Sequence, residues 1–521
     1  MILIAKMPYV MATIFAVLAG IYGFLWALLQ LTQDAREPPS IDSTIPFIEP
    51  LVKMGFRGFR YWASESRPPI HTLRLPGVRL YIVNSTSLIP AVHRKSRHIS
   101  FGPVIVWMAS TLMGVSDVGL EVASQDPFDD HGFAIGTAKT IHPTLAPGEM
   151  LDQLNRASIQ VIAASLDLLR SKGSDAQVAM YKWVCQEAMI ATTQGIYGPR
   201  NPFKDQAFRQ AWFDYEPGLV PLMINVLPQL TARKYTKARR TLAAGFEEYF
   251  TGGGHSDVAT SSFTKERFRF LTGRGMPIRD VAAMEAAVSI GLLSNTMPAT
   301  FWFLLHAYSD PYMLEDCRNE LSQAVHETGG VCVIDLAFVK TSCPILLSAF
   351  KEVLRFHGMG MSTRIIGEDQ MLEDQYLLKK GSILLIPATV QHSLRSVWGE
   401  DVDRFSYKRF LSDDTSKKIA SRNLIAFRGF GGGSSLCPGR HFAATEILTF
   451  ASLMLLQFDV EPVKGMWSMP SVEKTNLGIS VHQPDYDIEV AIRPRSDKRW
   501  VVNFTGSDKV MGVSAEDLEN Q

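Results

Sequence analysis

Phe430-Gly431-Gly432-Gly433-Ser434-Ser435-Leu436-Cys437-Pro438-Gly439-Arg440-His441-Phe442-Ala443 is the stretch on which the reading of this chain turns. Glycines surround one cysteine, and an apolar segment of helical character, Phe442 to Phe458, follows directly. A cysteine at the start of a helix faces unpaired backbone N–H groups and the positive end of the helix dipole, which favour the thiolate. Glycines upstream permit a tight turn and a close approach to a flat ligand without Cβ clashes. A thiolate held in this way suits a soft metal ion, haem iron among them. Two other readings compete. A lone cysteine in an apolar setting is often a small buried hydrophobe. A glycine-rich loop before a helix can also cradle a nucleotide, but neither G-x-x-x-x-G-K-S/T nor G-x-G-x-x-G follows a strand here.

The chain has 521 residues, 46% hydrophobic and 20% charged, a balance that suits a large buried core rather than disorder. No interior Gly/Ser or Pro-rich linker divides it, so one large domain behind an N-terminal anchor is the economical organisation. Lys+Arg and Asp+Glu number 52 each, which leaves no global field to attract nucleic acid. Five scattered cysteines, Cys185, Cys317, Cys332, Cys343 and Cys437, form no CxxC pair and no zinc spacing. That pattern fits a reducing compartment with one special cysteine.

Met11 to Leu31 carries no charge, and 21 residues at 1.5 Å each reach roughly 30 Å, enough to cross a bilayer. A cleaved signal peptide is the rival, but its apolar core is shorter and ends in a small-residue cleavage site. Lys6 before and Arg36 after give only a weak charge asymmetry. The organisation expected is an anchor over 1–36, a proline-rich hinge over 37–50 and a catalytic domain over 51–521. Prolines 38, 39, 46 and 50 make that hinge a stiff extended connector. Leu73 to Asn84 reads as a β-hairpin turning at Pro76-Gly77. From about 100 to 275 the chain reads as successive helices.

Val281 to Tyr308 is the second informative stretch: Glu285 is its one charge. A second membrane span competes, yet Ser289, Ser294, Asn295, Thr296 and Pro298 would be costly against lipid. A helix through the core of a large domain, kinked at Pro298 beside a ligand, accounts for both features. Glu352 and Arg355 stand three apart on one helix face, a spacing that ordinarily gives a weak surface bridge.

Phe430-x-x-Gly433-x-x-x-Cys437-x-Gly439-Arg440-x-Phe442-Ala443 resembles the haem-thiolate signature of cytochrome P450 enzymes. The resemblance implies a mainly α fold with small β-sheets, an N-terminal transmembrane helix, and haem b whose iron takes Cys437 as axial ligand. Phe430, Gly433 and Gly439 then shape the cofactor loop. Arg364 matches the strand arginine that contacts a haem propionate, and His392 a haem-facing position. The residue two before the cysteine, often Arg, His or Asn in the family, is Ser435 here. Ser294 to Trp302 is similar to the central helix of the bile-acid hydroxylase and prostacyclin synthase branch. Asn295 and Thr296 are the nearest equivalents of the acid–threonine proton relay of other branches, and no acid is present. Phe405 to Phe410 resembles the loop that adds Arg409 to a buried Glu352–Arg355 network of structural support. Asn476-Leu477-Gly478-Ile479 falls at a substrate-contacting turn.

In function, the resemblance implies a monooxygenase of the microsomal type: single-pass in the endoplasmic reticulum membrane, with its catalytic domain facing the cytosol. It would draw electrons from NADPH through a separate NADPH–cytochrome P450 reductase. The substrate class implied is a hydrophobic small molecule such as a terpenoid, a steroid or another secondary metabolite. The sequons at Asn84 and Asn503 would stay unmodified in the cytosol. The runner-up is a haem-thiolate isomerase or dehydratase acting on a peroxide without a reductase, motivated by the missing acid. A third reading, a haem protein that senses or stores a gas, would usually carry an output domain.

Overall fold

The computed structural model describes residues 2–41, 43–57, 67–129, 131–171, 176–411, 424–514 and 516–517. The first helix, α1 (Ile2–Thr32), is apolar on every side and has no charged residue beyond Lys6. Its segment Met11–Thr32 has a mean hydropathy of 2.1, and almost none of it is buried against the rest of the chain. Its last residue, Thr32, is met by two arginines. Arg74 Nη2 donates to Thr32 Oγ1 (2.7 Å) and Arg79 Nη2 to the Thr32 carbonyl (2.8 Å). Positive charge at a helix C-terminus offsets the dipole there and fixes where the anchor leaves the domain.

Both arginines belong to the expected hairpin, β1 (Ile70–Leu75) and β2 (Val78–Val83). Leu75 pairs with Val78, and Gly77 supplies the positive φ (70°) that the two-residue turn demands. After helix α2 (Ile89–Arg94) comes the short strand β3 (Ile99–Ser100). With the later strands β4 (Met361–Ile366) and β5 (Ile383–Pro387), these build a sheet of order β1-β2-β5-β4-β3.

The proline-rich hinge is docked on this sheet. Thr72 N–H donates to the Pro39 carbonyl (2.9 Å) and Ile41 N–H to the Thr72 carbonyl (3.1 Å). Glu37, buried, takes the Tyr81 hydroxyl (2.8 Å) and Arg79 (3.0 Å). The last prolines also differ from an extended connector: Pro50 lies in the first turn of a helix over Ile48–Arg57, where its missing N–H costs no hydrogen bond.

Most of the remaining chain is helical. Helices α3 (Glu149–Ser171) and α4 (Met180–Tyr197) pack side by side. The central apolar stretch forms α5 (Ile278–Leu293) and α6 (Thr296–Ser309), followed by α7 (Pro344–Phe356) and α8 (Arg440–Gln457). Helix α6 lies between α4 and α8, with Phe301, Trp302, Phe303 and Leu304 wholly enclosed. Each such side chain contributes on the order of 2 kcal/mol by leaving water. Of the stretch Ile278–Ser309, 78% of the most apolar window is buried inside the protein, which settles its reading as a core helix.

The expected kink needs relocating. The helix breaks at Ser294-Asn295, one turn before Pro298, which sits inside the first turn of α6. A proline ring collides with the carbonyl four residues earlier, that of Ser294, and offers it no N–H. The disruption therefore appears upstream of the residue that causes it.

Candidate active site

Cys437 lies on the loop between a short helical turn, Gly433–Ser435, and the start of α8. Its N–H donates to the Phe430 carbonyl (2.9 Å), which closes the loop on itself. Gly431 and Gly433 both adopt positive φ (77° and 59°). A Cβ at Gly433 would come within 2.6 Å of the His93 ring on α2, so the loop and that helix meet at contact distance only because glycine stands there.

All five cysteines are free; four are fully buried, whereas Cys437 keeps accessible surface although protein surrounds it. Burial pushes its thiol up, against the Gly439 N–H and the Arg440 charge that pull it down. The helix start thus favours the thiolate, as its position suggests, but desolvation outweighs it.

The loop is clamped from two sides. On one side stands α7. Arg355 forks onto Glu352 with Nε to Oε2 at 2.7 Å and Nη2 to Oε1 at 2.8 Å, and Arg409 Nε reaches Oε1 at 3.1 Å. Glu352 also accepts the Ser406 N–H (2.9 Å), while Arg355 Nη1 donates to the His392 carbonyl (2.8 Å). Arg409 goes on to a bidentate contact with Asp401 (2.9 and 3.0 Å). All three residues nominated from the sequence meet here, buried and with their charges answered.

The second clamp has no counterpart in the sequence reading. The segment from Ser507 to Asp517 returns to the loop, with Met511 and Val513 buried along the way. Asp517 accepts Arg440 Nη2 (2.7 Å) and lies 3.2 Å from His441 Nε2, and Glu516 Oε1 accepts the Gly433 N–H (3.0 Å). Burial alone would raise the Asp517 carboxyl, but His441 and Arg440 hold it well below the usual range.

His392 is buried and stacks on Phe427; its Nε2 accepts the Arg428 N–H (2.8 Å), and burial keeps it neutral, its pKa down to about 3. It therefore braces the irregular segment leading into the loop. Arg364 donates Nη2 to Ser435 Oγ (2.8 Å), so the hydroxyl at 435 is joined to the strand arginine. Arg428, missed in the sequence, lies buried nearby, with Nε and Nη2 lacking a partner among the described residues.

On the central helix, Val288, Gly291, Leu292 and Asn295 keep accessible surface within an otherwise buried segment. A Cβ at Gly291 would meet nothing within 4 Å. Asn295 Oδ1 accepts the Ser480 N–H (2.7 Å), tying the helix break to the turn that follows Asn476–Ile479. Thr296 Oγ1 donates to the Leu292 carbonyl (3.2 Å). Asn476 is turned elsewhere: its amide donates to the carbonyl of Glu216 (2.8 Å). Glu285, the one charge of that stretch, is explained by Arg267 and by the Tyr197 hydroxyl (2.9 Å) that bond it in the core.

These residues fit a flat, anionic, iron-bearing macrocycle. A single sulfur donor stands at a helix start on a glycine-shaped loop, and buried cationic side chains with unmet donors lie beside it. Among the described residues no cluster of three His, Cys, Asp or Glu suggests another metal centre.

The chain is similar to known proteins. The cytochrome P450 family model matches residues 227–490. A cytochrome P450 monooxygenase, nodJ, of Hypoxylon pulicicidum is 35% identical over 504 residues, covering 94% of this chain and 96% of that one. Cholesterol 7-alpha-monooxygenase of Cricetulus griseus is 24% identical over 89% of this chain and 95% of its own. The solved structure of retinoic acid bound cyanobacterial CYP120A1 matches with a TM-score of 0.67 and 17% identity, over 89% of this chain and all of that one, a likeness of fold.

Proposed function

The chain belongs to the cytochrome P450 family and is a monooxygenase of lipophilic molecules; from that premise we propose that Cys437 ligates the iron of haem b. The observation that carries the assignment is the Cys437 loop itself, with its sulfur beside the Gly439 N–H at the start of α8. The bound haem supplies dioxygen activation, aided by electron donation from the thiolate, with one oxygen atom entering the substrate and the other leaving as water.

The protein's part is to hold and to supply. The Gly439 N–H and the dipole of α8 steady negative charge on the sulfur. Glu352, Arg355 and Arg409 fix the loop from behind. Asn295 keeps the turn around Ser480 against the helix break, where the substrate is positioned. The Thr296 hydroxyl and the Asn295 amide order water and pass protons inward; neither is itself a strong acid, so the protons originate in solvent.

The anchor over 1–36 and hinge over 37–50 hold the catalytic domain, 51–521, at the endoplasmic reticulum membrane, single-pass and facing the cytosol. NADPH–cytochrome P450 reductase delivers the electrons. Likeness to cholesterol 7-alpha-monooxygenase supports a fused-ring terpenoid or steroid drawn from the bilayer. The missing acid at 295 motivates the alternative, rearrangement of a peroxide without a reductase. The test is product analysis on the full chain in membranes with candidate sterols and terpenoids. NADPH- and reductase-dependent hydroxylation is expected, with the reduced carbonmonoxide spectrum of a thiolate haem lost in Cys437→Ser. Turnover of a hydroperoxide alone, without NADPH, would replace this reading by the isomerase.

A further inference from the structure

Two guanidinium groups lie buried beside the cysteine loop: Arg364 is 1% exposed and Arg428 7%. Burial pulls both down to about 10, and Arg364 is lowered further by Arg428 itself. Two cations that disfavour each other in a shielded place call for an anion. The Glu516 carboxylate partly offsets the charge of Arg428, and its Oε1 already accepts the Gly433 N–H.

Among the described residues Arg364 has only neutral acceptors, Ser435 Oγ and the carbonyls of Gly432 and Thr363. Arg428 has less, since its Nε and Nη2 meet no acceptor among the described residues. His93 closes the third side. Its ring abuts Gly433, its Nε2 also lacks a partner among the described residues, and burial, then Arg428 and Arg364, depress its pKa to about 4. Three donors therefore stand against the Gly432–Gly433 part of the loop, and none of them bonds a carboxylate among the described residues.

The sequence offers a reason. Position 435 holds a hydroxyl, which Arg364 occupies, so the loop has no cation of its own two residues before Cys437. We propose that Arg428 and His93, together with Arg364, form the clamp for a haem carboxylate in this chain, doing what the side chain of Ser435 does not. This rests on haem binding at Cys437 and would be wrong on its own if that binding held while the clamp residues proved indifferent.

Haem-loaded full-length protein is compared as wild type, Arg428→Gln, Arg428→Lys and His93→Gln, with haem and with haem dimethyl ester, whose carboxylates are masked. Wild type is expected to release the ester at least about tenfold faster than haem, the loss of a charge-assisted hydrogen-bonded pair. Arg428→Gln should release haem about as fast as wild type releases the ester, and should no longer distinguish the two. Arg428→Lys should fall between, and His93→Gln should narrow the distinction by a smaller factor. An arginine with a merely structural role would shift both cofactors alike and leave the ratio unchanged. If the ratio in Arg428→Gln and in His93→Gln equals that of wild type, the clamp is overturned. Should Arg428→Gln fail to fold, the His93→Gln ratio decides alone. A wild type without a thiolate haem spectrum would instead sink the assignment of Cys437.

Discussion

Glu352 and Arg428 are both buried charges close to the cysteine loop, and the chain treats them in opposite ways. Around Glu352 two guanidinium groups and a backbone N–H are arranged so that each charge has its partner. Around Arg428 a second arginine is brought up, Glu516 offsets the charge, and two donors meet no partner among the described residues. A closed cluster needs nothing further and belongs to the fold. An open one makes the folded chain less stable until a ligand completes it, and so marks where the fold gives up stability for binding.

The sharpest way to break the contrast is to open the closed cluster. Glu352→Gln leaves Arg355 and Arg409 buried without their anion and should cost about 3–5 kcal/mol. Little folded protein is expected, and a near-normal unfolding midpoint in urea would show that the network is dispensable.

An intermediate case is Glu446 on α8, which among the described residues is given hydroxyls but no cation. Ser158 and Thr192 donate to it at 2.9 and 2.8 Å, yet burial still raises its pKa from 4.5 to about 7. A carboxyl whose folded value lies above its unfolded one binds more protons when folded. Its protonated form therefore favours folding at acid pH, and that advantage fades as pH rises from about 4.5 to about 7, by up to about 3 kcal/mol in all. Urea midpoints measured across this window should fall with pH in wild type. In Glu446→Gln this contribution to the slope should vanish.

The smallest effect belongs to the rim. Asp401 extends the closed cluster to Arg409 but is 57% exposed, so Asp401→Asn should cost under about 1 kcal/mol. An unfolding loss as large as that of Glu352→Gln would place the centre of the network at its surface.

What could be read from the sequence was local. The cysteine loop, the hairpin at Pro76-Gly77 and the apolar central stretch each declare themselves within a few residues. Spacing alone places Glu352 beside Arg355, but Arg409 came only through likeness to a family. The rest depends on pairs that no spacing reveals: His93 meets a loop more than three hundred residues later, and Ser158 meets Glu446. Arg428 stands two residues before Phe430, but no spacing ties it to the loop, and the position where that family often puts its cation is 435. The break at Ser294 shows the same limit at short range, because a proline acts on a carbonyl one turn behind it.

The bonds from Glu516 and Asp517 to the cysteine loop also set an order of events during synthesis. Arg440 finds its carboxylate 77 residues further along the chain. The ribosome must therefore make those 77 further residues before this clamp on the loop holding the sulfur can close.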